Sequence, residues 1–132
     1  MEYQTYYDLA RKGAAFDEAG DQHAAIEVFI GLVNSDISDL DKANMCYNVA
    51  HCCDKLGQTE QALAWYAEGA AYEKPYCRIQ LHEWQASYLA KLGRDAEALA
   101  IYESLYEQPY LLEIEKERIW GNIAILRNPR KT

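Results

Sequence analysis

Four cysteines and three histidines are the side chains of this sequence best suited to bind a metal ion. The cysteines are Cys46, Cys52, Cys53 and Cys77. None of them belongs to the Cys-x-x-Cys pair of a zinc site, and the adjacent Cys52 and Cys53 point in different directions on a helix. A metal site that adds His51 and His82 is one interpretation, but the spacing favours free, mostly buried thiols. We therefore predict no metal, no cofactor and a reducing compartment.

Catalytic motifs are the next candidates, and each of them is incomplete. The segment His82-Glu83-Trp84-Gln85-Ala86 begins like a His-Glu-x-x-His zinc site but lacks the second histidine. The sequence contains neither a glycine-rich phosphate loop nor a Gly-x-Ser-x-Gly elbow. The carboxylates of Glu113 and Glu117 are interspersed with basic residues, which is typical of a solvated helix surface. We predict that the protein is not an enzyme.

The charge balance bears on the class of partner. The formal charge is −8, from 21 acidic and 13 basic residues. This acidic surface repels phosphate groups, so we predict no nucleic-acid partner. The apolar runs are too short to span a bilayer, and residues 1–8 do not resemble a signal peptide, so we expect a cytoplasmic protein without membrane association. The short basic tail at 128–132 is either a docking segment or a frayed terminus.

One pattern occurs three times and organises the rest of the chain. Its copies begin at Gly20, Gly57 and Gly93, which are 37 and 36 residues apart. Each copy has a glycine, a short polar stretch, an alanine, an aliphatic residue and an aromatic residue four positions after the alanine. A fixed period of this size is the mark of stacked helical repeats. We expect each glycine to end one helix just before an antiparallel second helix begins.

The apolar spacing predicts seven helices, arranged as three pairs and a closing helix. We expect the pairs at about 3–36, 40–74 and 76–108 and the closing helix at about 110–127, all within one domain, 1–127. A stack of repeats needs such a closing helix because its last pair would otherwise expose an apolar face. The apolar pattern of the closing helix is Ile114, Ile119, Trp120, Ile123, Ala124 and Leu126.

These pairs resemble the tetratricopeptide repeat, whose signature is Trp-x-x-Leu-Gly-x-x-Tyr, then Ala-x-x-x-Phe, then Pro. The second half of the signature matches at Ala25-x-x-x-Phe29, Ala62-x-x-x-Tyr66 and Ala98-x-x-x-Tyr102. The first half matches more loosely at Leu9-x-x-Lys12-Gly13, Cys46-x-x-Val49-Ala50 and His82-x-x-Gln85-Ala86, and it matches best in the closing helix at Trp120-x-x-Ile123-Ala124. The resemblance implies an all-α fold, a right-handed α-solenoid of antiparallel helix pairs. His82 and Gln85 depart from the signature, which leaves the register of the third pair's first helix open.

The resemblance also implies a concave groove, lined by the first helix of each pair, that binds extended or helical peptides. Aligning the repeats places ten candidate residues there: Arg11, Asn44, Tyr47, Asn48, His51, Glu83, Trp84, Ser87, Arg118 and Asn122. Asn48 and Asn122 would hold the main chain of a peptide, or they are solvated helix surface. Trp84 is either a groove anchor or a core residue. The variant of this groove that grips carboxylate tails needs basic residues at positions occupied here by Ala10, Gln80 and Trp84, so we predict that it is absent.

We therefore predict a non-catalytic module that binds a protein or peptide partner, preferably a basic or neutral segment because the protein is acidic. The alternative is a structural protein that self-associates as a homodimer through its terminal helices, since Tyr3, Tyr6 and Tyr7 are crowded onto the first helix. A third interpretation is a regulatory module that acts on a sensor or a transcription factor.

Overall fold

The computed structural model describes residues 1–128, and over that range the chain is all-helical, with no strand. The α-helices are α1 (Tyr3–Glu18), α2 (Gln22–Val33), α3 (Asp39–Lys55), α4 (Thr59–Glu73), α5 (Gln80–Lys91), α6 (Asp95–Tyr106) and α7 (Glu113–Arg127). A 3₁₀ turn, Lys74–Tyr76, follows α4. The seven predicted helices are confirmed. Most of the basic tail lies outside the described residues.

Two helices begin later than the apolar pattern suggests. The third pair starts at Gln80, four residues after the expected position, because Pro75 holds a 3₁₀ turn and Cys77 adopts a left-handed backbone with φ of 57°. The last helix starts at Glu113 instead of about 110. There the Glu115 carboxylate accepts the Leu112 N–H at 3.0 Å, which satisfies a backbone donor at the helix start.

The turns within the pairs lie where the sequence placed them. Gly20, Gly57 and Gly93 have φ values of 84°, 75° and 81°, a backbone conformation that side chains with a Cβ rarely adopt. At the first of these turns Asp21 caps α2 by accepting the Ala24 N–H at 3.2 Å. Each glycine therefore ends a first helix and lets the second helix begin within a few residues.

By its internal contacts the chain divides into two compact units. The N-terminal unit, Met1–Leu81, contains α1 to α4 and the start of α5, and the C-terminal unit, from His82 onwards, contains the rest of α5 with α6 and α7. No helix among residues 1–128 has both the length and the apolar character needed to cross a membrane. The single domain expected over 1–127 stays a prediction.

The N-terminal unit is a series of packed neighbours, with α1 on α2, α2 on α3 and α3 on α4. Its core contains the expected stripes of α3 and α4, namely Met45, Cys46, Val49, Ala50, Cys53, Ala62, Leu63, Tyr66, Gly69 and Ala70. Small residues stand where helices approach closely. A Cβ on Gly13 would lie 2.6 Å from the Cε1 atom of Phe29, so α1 and α2 pack at a distance that only glycine permits.

Glu73 is a buried carboxylate at the end of α4, with 2% of its surface exposed. It accepts the backbone N–H of Leu81 at 2.9 Å, so it satisfies one of the free donors in the first turn of α5. Burial raises the pKa of Glu73, although the Leu81 hydrogen bond and the charge of Arg78 act in the opposite direction.

In the C-terminal unit α6 packs on α7. The core residues here include Ala86, Tyr88, Leu89, Ala98, Tyr102, Leu105, Ile119 and Ile123. The buried Ala86 keeps the position of Ala50 in the preceding pair, while His82 and Gln85 are half-buried. The pattern expected of the closing helix is only partly buried: Ile114 and Trp120 are 67% and 49% exposed, and Ala124 is exposed too. One face of α7 is therefore open to solvent.

Candidate functional site

Four of the predicted groove residues lie along one side of α3: Asn44, Tyr47, Asn48 and His51. They are three or four residues apart, which is the spacing of neighbours on one helix face. Asn44 and His51 are exposed, and the two residues between them are half-buried. The opposite side of α3 is fully buried at Cys46, Val49 and Ala50. The helix is thus fixed by its core side and presents these four residues outward.

The aromatic residues of this face pack against one another. The Tyr47 ring is stacked on the His51 ring, with centroids 6.1 Å apart and an interplanar angle of 19°. The same Tyr47 ring lies 6.1 Å from the ring of the buried Tyr66 on α4. Because Tyr66 belongs to the core, it limits the orientations that Tyr47 can adopt. Tyr47 therefore offers a rigid apolar contact area at a low cost in side-chain entropy.

The two asparagines keep unused hydrogen-bonding capacity. The Asn48 amide nitrogen lies 3.9 Å from the sulfur of Met45, which is a weak acceptor. The Asn44 side chain is exposed and makes no hydrogen bond with any residue from 1 to 128. Each amide group offers two donors and one acceptor oxygen. The face can therefore supply several hydrogen bonds to a bound main chain.

Helix α1 of the N-terminal unit is tied to α3 and carries one further predicted groove residue. Lys55 of α3 donates to the carboxylate of Asp17 on α1 at 2.7 Å, which joins the C-terminal ends of these two helices. Burial alone would raise the pKa of Asp17, but the hydrogen bond from Lys55 lowers it below its ordinary value. Arg11 of α1 is exposed and forms no ion pair within the described chain. Among the predicted groove residues of the N-terminal unit, Arg11 is thus the one whose charge is available to a ligand.

In the C-terminal unit the structure brings two predicted residues together. The Nε and Nη2 atoms of Arg118 donate to the two oxygens of the Glu83 carboxylate, at 2.8 and 2.6 Å, which links α5 to α7. This hydrogen bond raises the pKa of Arg118 further. The two charges neutralise each other, so neither is a free charge for a ligand. Trp84 and Asn122 are half-buried, and Ser87 is exposed.

From the apolar pattern we expected Ile114 to be among the buried residues of the closing helix. The structure instead places it on the exposed face of α7 that contains Arg118. Ile114, Arg118, Gly121 and Ile125 are three or four residues apart and share one face of α7. Ile114 and Ile125 are 67% and 66% exposed. The alignment of the repeats was the available signal, since it places Ile125 at the position that His51 occupies in the second helix pair. The face of the C-terminal unit is therefore more apolar than the sequence predicts.

Three of the four cysteines lie in the core and not on the α3 face. Cys46, Cys52 and Cys53 are buried, while Cys77 is exposed. Burial, together with the nearby carboxylate of Glu68, raises the pKa of the Cys46 thiol to about 12, and burial raises that of Cys52 to about 11. Among residues 1–128 no three His, Cys, Asp or Glu side chains are grouped as they would be around a metal ion.

Comparisons with known proteins give a structural likeness alone. No protein-family model matches this chain, and no curated protein matches it. Among solved structures it is similar to the type III secretion translocator chaperone SycD of Yersinia enterocolitica, with a TM-score of 0.65 and 18% sequence identity. The match covers 96% of this chain and 86% of SycD. At this identity the likeness carries the fold alone, and it confirms the predicted all-α helical-repeat fold.

Proposed function

We propose that this protein is a non-catalytic binding module whose α3 face holds a segment of another protein. The observation that carries the proposal is the pair Asn44 and Asn48, one helical turn apart and flanked by the fixed ring of Tyr47. Amide groups at this partly exposed face can exchange their water for the backbone groups of a bound segment, and a backbone hydrogen bond of this kind contributes about 0.5–1.5 kcal/mol. Beside a rigid aromatic ring they form the mixture of anchor and adaptable polar groups seen at recognition surfaces.

The spacing of the two amides suits an extended main chain. Four residues of α-helix rise about 6 Å. Two residues of an extended peptide rise roughly 6.6 Å, and their backbone groups point to the same side. Asn44 and Asn48 can therefore bond alternate residues of a strand-like segment that runs along α3. The side chains between those residues would then contact Tyr47 and His51.

The charge of the protein bears on the chemistry of the partner. The net charge of −8 favours a neutral or basic segment over an acidic one. On the C-terminal unit the Glu83–Arg118 pair is neutral, and Ile114 and Ile125 favour apolar contacts. We propose this second face as an auxiliary contact for apolar side chains of the same class of partner. The structurally similar SycD is a translocator chaperone, which agrees with the proposal of a protein-binding module.

An array of immobilised peptides, probed with the purified protein, would identify ligands, and calorimetry would then measure their affinity. Replacing Asn44 and Asn48 together by Ala removes two hydrogen bonds, so we expect affinity to fall roughly 5- to 150-fold. Gln61→Ala is the matched control, because Gln61 is an exposed amide on the second helix α4. Equal affinity in the double variant and the wild type would reject the α3 face. A protein that binds no peptide and no partner protein would reject the whole proposal.

Self-association through the terminal helices is the second candidate function. On α1, Tyr3 is 67% exposed and its hydroxyl is hydrogen-bonded to that of Tyr7 at 2.8 Å. Aromatic residues are more frequent in protein–protein interfaces than on the rest of the protein surface, so these exposed tyrosines favour a contact through α1. Loss of self-association in a Tyr3→Ser, Tyr7→Ser variant would support a contact through α1.

A further inference from the structure

An exposed stripe runs along α7 beside its core residues. Its members are Glu113, Glu117, Trp120, Ala124 and Arg127, all exposed and alternately four and three residues apart. Residues at this spacing lie in one line along a helix and form the seam when two helices pair. The stripe is acidic at its first end, apolar in the middle and basic at its last end.

The same helix position is covered in the preceding pairs. Ala124 corresponds to Gly13, Ala50 and Ala86 in the first helices of those pairs, and all three are buried. In the first pair the covering group is Phe29 of the second helix. In α7 the corresponding alanine is exposed, and no second helix follows it within the described residues. Within the described residues the stripe is therefore a helix face that no second helix covers.

The stripe is complementary to itself in an antiparallel arrangement. Consider two antiparallel copies of α7 related by a two-fold axis that crosses the stripe midway between Trp120 and Ala124. Trp120 of each copy then faces Ala124 of the other. In the same register Glu117 of each copy faces Arg127 of the other. Each of these two pairs occurs twice across the axis. The Trp120–Ala124 pair joins a large side chain to a small one, and the Glu117–Arg127 pair joins opposite charges. A parallel arrangement would instead place like residues opposite each other.

We propose that two copies of this chain associate through α7, antiparallel, with Trp120 against Ala124 and Glu117 against Arg127 across the two-fold axis. This surface is separate from the α3 face of the proposed function, and neither proposal depends on the other. It gives the self-association of the protein a defined place and a defined register.

Contacts inside one copy hold the two key side chains in place. The Trp120 ring lies 5.5 Å from the ring of Tyr106 on α6, and the Arg127 guanidinium lies 5.8 Å from the Trp120 ring. Arg127 also donates to Glu103 of α6. Trp120 nevertheless remains 49% exposed, and the Arg127 side chain is 47% exposed and has further donors beside the one that Glu103 accepts. Both side chains therefore keep surface that a second copy can contact.

The extent of the stripe sets the strength of the association. One face of a 15-residue helix is smaller than the roughly 800 Å² per partner of a standard stable interface. The charge of −8 on each copy also opposes close approach. We therefore expect weak association that increases with protein concentration.

Sedimentation equilibrium of the full chain, at concentrations up to roughly 1 mM, tests the proposal. Wild-type protein should show a monomer–dimer equilibrium, and Ala124→Arg should remain monomeric because the new side chain fills the space needed by Trp120. Ala67→Arg is the control, since Ala67 is an exposed alanine in the middle of α4. It should dimerise as the wild type does. A monomeric wild type, or equal behaviour of the two variants, would overturn the proposal.

Charge reversal tests the register. Glu117→Arg alone and Arg127→Glu alone should each dimerise less, because each places like charges opposite each other. An equimolar mixture of these two variants should recover dimers, because both opposite-charge pairs form again between unlike copies. Circular dichroism checks that both variants keep their helix content. Absence of recovery in the mixture, or dimers that depend on Tyr3 and Tyr7 instead, would refute the α7 contact.

Discussion

Replacing Gly13 by Ala tests the close packing of α1 on α2. The added Cβ would lie 2.6 Å from Cε1 and 2.8 Å from Cζ of Phe29, whereas carbon atoms in contact are about 3.5–4.0 Å apart. The Phe29 ring is 3% exposed, so it has no open space into which to move. Overpacking of this kind costs about 1–3 kcal/mol. Alanine in a helix gains about 1 kcal/mol over glycine, so the net destabilisation is about 0–2 kcal/mol.

Gly31→Ala is the matched control in the same unit. Gly31 lies in α2, and nothing stands within 4 Å of an added Cβ. Only the helix-propensity gain applies there, so this variant should be more stable by about 0.5–1 kcal/mol. Urea unfolding followed by circular dichroism and tryptophan fluorescence measures both free energies. The two variants should differ by about 1–3 kcal/mol.

A second replacement separates the clash from other causes. Phe29→Leu shortens the side chain that the new Cβ meets, so Gly13→Ala should cost less in that background than in the wild type. The reasoning would be refuted if Gly13→Ala stabilised the protein as much as Gly31→Ala. It would also be refuted if the cost of Gly13→Ala were unchanged by Phe29→Leu.

Two further predictions concern titratable groups. The native pKa of Glu73 is raised above its ordinary 4.5, so near that pH the folded state binds more protons than the unfolded chain. The free energy of unfolding should therefore fall as the pH rises from 4.5 through the raised pKa of Glu73. Glu73→Gln keeps an acceptor for the Leu81 N–H and should flatten this pH dependence; urea midpoints between acidic and neutral pH would check it, and an unchanged slope would contradict it. Cys77 should react quickly with a thiol reagent at mildly alkaline pH, whereas Cys46 should react only as the chain unfolds. Equally fast reaction of both in the folded protein would show that the core opens readily.

Local sequence chemistry fixed the positions of the turns and most of the buried stripes. Glycine permits the positive φ of Gly20, Gly57 and Gly93, which other residues rarely adopt, and the threefold pattern marked these three glycines as turns. The buried stripes of α3 and α4 follow from apolar spacing at the helical period. The resemblance to tetratricopeptide repeats, with the repeats aligned, also assigned Asn44, Tyr47 and Asn48 to one side of α3. Periodicity predicts such features because they depend on neighbours three or four residues away.

The starts of α5 and α7, the Glu83–Arg118 pair and the open face of α7 required the tertiary structure. Apolar residues in α7 predicted a closing helix, yet Ile114 and Trp120 are largely exposed. Periodicity shows that a helix has an apolar side, but it does not show how much of that side a neighbour covers. Burial depends on which elements are present to pack, and α7 has α6 on one side and no second helix of its own within residues 1–128. The sequence determined the repeat, and packing decided which of its surfaces remain available for binding.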